Sequence, residues 1–167
     1  MSNDRTAYVV DTTGVVPEAL PGLVRAVIEL VAPVADRYEC DIPLDNKDSW
    51  STDVTEAAEH LASLRPPRRS ESEHYRQTGV RRRTNDTAAW RSFVTFAAHA
   101  FDATVWDEHS HLLIGLSDEG TSVCAHLTEV EAVALTKQFP EATLVPRRTW
   151  RERRRRQRGA RPVRPVS

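Results

Sequence analysis

A single compact α+β domain is the fold class this chain predicts, with a mixed or antiparallel sheet and helices on one of its faces. Three observations carry it. Apolar runs at 112–116 and 121–127 are split by a Ser-Asp-Glu-Gly cluster at 117–120, the pattern of a β-hairpin. Thr128 is followed three residues later by Glu131, the spacing of a capping box that opens a helix. Elsewhere apolar side chains recur at three and four, as in Leu20, Leu23, Val24, Val27 and Val31.

The elements follow in order. A first strand at 7–10 is closed by the turn-rich Asp11, Thr12, Thr13 and Gly14. Pro17 and Pro21 suit the entry to a helix, and Pro33 ends it. Tyr38, Cys40, Ile42 and Leu44 then alternate with Glu39, Asp41 and Pro43, which predicts a half-buried strand placed toward an edge by its proline. After a polar loop, Val54, Ala57, Ala58 and Leu61 mark a second helix capped by Ser51, Thr52 or Asp53. Residues 65–84 are basic and almost without aliphatic side chains. Such a segment buries too little surface to offset its ordering entropy, so a mobile loop is expected there. Asn85 or Asp86 caps a third helix with Ala89, Phe93, Phe96, Ala97 and Ala100 on one face. A strand from 103, the hairpin, a helix stopped by Pro140 and a strand at 143–145 complete the series. The expected order is β-α-β-α-(basic loop)-α-β-β-β-α-β over residues 1–146, with an Arg-rich disordered tail at 147–167.

With 167 residues the chain can bury roughly two thirds of its unfolded surface in one core. It has no apolar run of eighteen residues and no basic, apolar leader, so a protein without membrane contact, in the cytoplasm, is expected. Cys40 and Cys124 form no CxxC pair, which fits a reducing compartment. The net charge of −1 conceals a segregation. Residues 1–64 carry 4 basic and 12 acidic side chains, and residues 84–146 carry 2 and 9. Between and after them, residues 65–83 carry 7 basic and 2 acidic side chains, and residues 147–167 carry 10 and 1. Charge sorted this way governs solubility and the choice of partner, not the fold.

Three function classes follow from these features. The first is a non-catalytic protein-interaction module of inhibitor, immunity or adaptor type. Its acidic and aromatic surface, Asp41, Asp45, Asp48, Trp50 and Asp53, would meet a protein partner of basic character. The second is nucleic-acid association through Arg81, Arg82 and Arg83 in the basic loop and Trp150, Arg153, Arg154, Arg155 and Arg156 in the tail. Guanidinium groups pair with phosphate and an indole stacks on bases, although 21 arginines against 2 lysines also point to a general arginine bias.

The third class is a small metal-dependent enzyme. With residues 117–120 as the hairpin loop, Leu112 faces Ala125, Ile114 faces Val123, and the opposite surface sets His111 beside His126 and Leu113 beside Cys124. His109, His111, His126 and Cys124 are then a candidate zinc set, on an assumption that a one-residue slip in register destroys. No other cofactor is expected. GxSxG, P-loop, GxGxxG and HExxH motifs are absent, and an enzyme is not the favoured class.

Overall fold

A computed structural model describes residues 4–69, 71, 72 and 74–159. It shows an α+β domain built on one eight-stranded sheet in which every pairing is antiparallel. In chain order the elements are β1 (Thr6–Asp11), α1 (Leu20–Val31), β2 (Arg37–Pro43), α2 (Thr52–Ser63), β3 (Tyr75–Gln77), β4 (Arg81–Arg82), α3 (Thr87–Phe96), β5 (Asp102–Trp106), β6 (Leu112–Ser117), β7 (Ser122–Leu127), α4 (Glu129–Gln138), β8 (Thr143–Pro146) and α5 (Arg147–Gly159). The sheet runs β3-β2-β5-β6-β7-β1-β8, with β4 beside β3 along the outer edge of β2.

The helices form where apolar spacing demanded them. Leu23, Val24, Val27, Ile28 and Val31 of α1 are all buried, as are Val54, Ala57, Ala58 and Leu61 of α2. The Asp86 carboxylate caps α3 by accepting from the Ala89 amide, and Thr128 and Glu131 close the expected capping box on α4. Alternation along the strands sends Tyr38, Cys40, Ala103, Val105, Ile114, Leu116, Val123 and Ala125 into the core. Tyr38 lies 5.3 Å from Trp90 and 4.6 Å from Phe93, ring centre to ring centre. On the opposite face Glu39, Thr104, Trp106, Ser117, Cys124 and His126 remain partly exposed. No helix among the described residues is long and apolar enough to cross a membrane.

Four expectations change. Residues 65–84 are not a free loop, because β3 and β4 pair with β2. Backbone ladders and guanidinium-to-carbonyl contacts hold the segment where aliphatic burial is lacking. Thr78 is 1% exposed, and its hydroxyl accepts from the Cys40 amide at 2.9 Å. Arg83 donates to the Ala32 carbonyl, and Arg65 pairs with Glu71. The same two strands move β2 away from the sheet edge, despite Pro43.

Third, the hairpin register is two residues later than expected. Ile114 pairs with Ala125, Gly115 with Cys124 and Ser117 with Ser122, which leaves residues 118–121 as the loop. Fourth, residues 147–159 of the expected disordered tail are helix α5, which packs on β1 and β8, while residues 160–167 lie outside the described residues. Arginine is a good helix former, and Arg147, Thr149 and Trp150 in the first turn are partly buried.

Candidate functional site

The hairpin histidines come first, because the register decides them. Cys124 stands opposite Gly115, while His109 and His111 lie before β6 on a loop organised by Asp107. That carboxylate, 5% exposed, accepts from the amides of His109 (2.9 Å) and His111 (2.8 Å) and from His111 Nδ1 (3.0 Å). Burial pushes the Asp107 pKa up, but these hydrogen bonds outweigh it and hold the group below its ordinary value. Ser110, between the two histidines, takes a left-handed φ of 67° and accepts from Arg37 at 2.7 Å.

The His109 and His111 rings are 5.9 Å apart. His126, in β7, borders the same surface pocket as Ser110 and His111, and its Nε2 is buried with no hydrogen-bond partner among the described residues. Burial, then Arg147 and Arg5, lowers its pKa. Among the described residues no three His, Cys, Asp or Glu side chains stand together as a metal-holding group. The expected set of His109, His111, His126 and Cys124 is therefore not assembled.

Neither cysteine is a ready nucleophile. Burial pushes the Cys40 thiol far up. Cys124 is also raised by burial, against the opposing pull of Arg147 and Arg151. A thiol kept protonated is a poor attacking group.

The acidic candidates divide between the sheet and one end of the molecule. Asp41 lies on the outer face of β2 and accepts from Gln77 at 3.0 Å. Asp45 and Asp48 are exposed on a 3-10 helix, Leu44–Ser49, and Asp53 is exposed in the first turn of α2. Trp50 is not free. Its half-buried ring stands edge-on to Phe96 at 5.2 Å and belongs to the protein's own packing.

Sequence reasoning missed a second acidic loop that joins these residues. The β6–β7 turn brings Asp118 and Glu119 to the same end, where Asn46 donates to the Glu119 carboxylate at 2.9 Å. Asp118 and Glu119 both adopt left-handed backbone, φ 54° and 55°. For residues other than glycine that conformation costs on the order of 1 kcal/mol each. Gly120 completes the turn at φ 74°, and a β-carbon there would stand 3.2 Å from both Ala98 O and Val24 Cγ2. Between the two loops sits His99, whose pKa burial lowers, against the pull of Glu119 and Asp53 in the other direction. The sequence signal for this convergence was the Asp-Glu pair in a hairpin turn, where Asn-Gly relaxes the backbone more fully.

The two basic candidates lie at opposite margins of the sheet. Arg81 reaches the Leu64 carbonyl (3.5 Å), Arg82 stands 3.8 Å from Asp36, and Arg83 lies over Trp90 at 5.5 Å. These arginines are largely occupied with the protein itself. On α5, Arg153, Arg154, Arg155 and Arg156 are exposed, and Trp150 is covered by Arg154 at 4.7 Å. Between β4 and β1 lie four strands, which puts the two basic segments about 24 Å apart across the sheet. Searches against protein-family models, curated proteins and solved structures find no match to this chain.

Proposed function

We propose that the protein is a non-catalytic interaction module of inhibitor or immunity type, whose acidic end meets a basic protein partner. The convergence of two sequence-distant acidic loops carries this proposal. Asp45, Asp48 and Asp53 come from one, Asp118 and Glu119 from the other, and the Asn46–Glu119 hydrogen bond ties them. Backbone strain concentrated in a surface turn is a recurrent mark of function, and here it presents two carboxylates. Arg25 of α1 acts on Asp53, and two further cations at this end are paired. Lys47 pairs with Glu59 at 3.2 Å, and His74 with Asp45 at 2.8 Å. A surface of one sign steers an oppositely charged protein and raises its association rate. Trp50 serves by holding the 3-10 helix in place.

The test is a comparative capture from the cells that make the protein. The wild-type chain should retain a basic protein that an Asp45→Asn, Asp48→Asn, Asp53→Asn, Glu119→Gln variant does not. Retention of the same species by both chains would count against the acidic end.

A second function is supported by a separate observation, the exposed arginines of α5. The helix carries eight arginines and one glutamate, and among its described side chains the one ion pair is Arg148–Glu152 at 3.5 Å. Phosphate backbones bind such a surface with strong salt dependence. Anisotropy of a labelled single-stranded oligonucleotide would check it. Affinity should fall steeply between low and moderate salt and vanish when Arg153, Arg154 and Arg155 become glutamate. A flat salt response excludes this mode.

A further inference from the structure

α4 carries apolar side chains on two sides. Leu135 enters the core at 1% exposed, whereas Val130 and Val133 face solvent at 79% and 64%. A helix that covers a core needs one apolar stripe, so the second is unexplained by folding. Val133 borders a mainly apolar cleft of about 500 Å³ between α4 and the sheet margin, with Tyr8, Ala132, Thr136, Lys137 and Leu144. That margin is β8, which pairs only with β1, so its outer edge has no strand partner among the described residues.

The two faces of this edge differ in chemistry. Leu144 points to the cleft beside α4. Its neighbour Val145 points to the opposite face, where α5 packs on β1 and β8. There Arg147 and Arg151 act on Cys124 of β7 and Arg153 on Asp11 of β1, while Arg154, Arg155 and Arg156 are exposed. The free edge thus has an apolar cleft on one side and the arginine-rich helix α5 packed on the other. Any strand added to it presents alternate side chains to those two surroundings.

We propose that β8 accepts an extended peptide in which aliphatic and acidic residues alternate. The aliphatic side chains enter the cleft beside α4 and the carboxylates meet the arginines of α5. Charge complementarity selects this occupant. A second copy pairing antiparallel through β8 about a two-fold axis would set two arginine-rich helices on the same face of the joined sheet, where they repel. The surface shares no residue with the acidic end, so the two proposals stand or fall separately.

The test is fluorescence anisotropy with a labelled ten-residue peptide of alternating valine and glutamate. Its control has the same composition with valines and glutamates in separate blocks. The alternating peptide should bind about tenfold more tightly than the block peptide, a difference of 1.4 kcal/mol. Val133→Asp, at an exposed position that leaves folding intact, should weaken it about tenfold at constant salt. Replacing Arg153, Arg154 and Arg155 by glutamate should weaken it further and flatten its salt dependence. Equal binding of both peptides, or indifference to Val133→Asp, would overturn strand addition and leave only the charge of α5. A dimer in light scattering that Val133→Asp dissociates would assign the edge to a second copy and overturn the proposal.

Discussion

Replacing Trp50 by alanine tests whether the tryptophan at the acidic end belongs to the core or to a partner. The indole is half-buried and stands 5.2 Å from Phe96 in an edge-on arrangement. A buried tryptophan covers about 200 Å², and half of that at 25 cal/mol per Å² is worth about 2.5 kcal/mol. The aromatic contact adds on the order of 0.5–1.5 kcal/mol. The expected loss is therefore about 3 kcal/mol, which in a chain of this size lowers Tm by roughly 6–12 °C. Differential scanning calorimetry reads it directly. Trp50→Phe should recover about half the loss, because a ring still packs on Phe96. A Tm within about 2 °C of wild type for Trp50→Ala would refute the packing role and return the indole to the interface.

Three further outcomes are expected. Asp118→Asn with Glu119→Gly relaxes the strained turn and should raise stability by about 1 kcal/mol, while weakening the partner contact; urea denaturation and capture of the partner read the two effects. Asp107→Ala leaves the amides of His109 and His111 without their acceptor and should cost about 2–4 kcal/mol, measured by urea denaturation. His126 has a folded pKa lowered by burial, Arg147 and Arg5 from the ordinary 6.5. Its stabilising contribution is therefore complete above that value and lost as pH falls below it. His126→Gln should flatten stability measured between about pH 7 and 5. His99, lowered chiefly by burial, contributes with the same sign, so the double variant should be flatter still.

The helices were legible because their signals are local. Spacing of three and four from Leu23 to Val31 and the Thr128–Glu131 pair need no tertiary knowledge. The hairpin was legible in its faces but not its register. The observed shift is an even number of residues, so Ile114, Leu116, Val123 and Ala125 stay in the core while Cys124 gains a new neighbour. The cause lies in the left-handed backbone of both Asp118 and Glu119, a conformation that aspartate favours and glutamate does not. Residues 65–84 and 147–159 misled for a shared reason. Counting aliphatic side chains ignores what arginine does by pairing, by donating to carbonyls and by favouring helix. Trp50 was legible only in part: the flanking carboxylates point to a surface, and its partly exposed ring also packs edge-on to Phe96.

The most direct measurement is the association rate of the purified basic partner with this protein as ionic strength rises. The wild-type rate should fall at least about tenfold between low and high salt. Neutralising Asp45, Asp48, Asp53 and Glu119 together should leave a slower rate that salt hardly changes. A rate indifferent to salt, or one that the four substitutions leave untouched, would contradict steering by the acidic end.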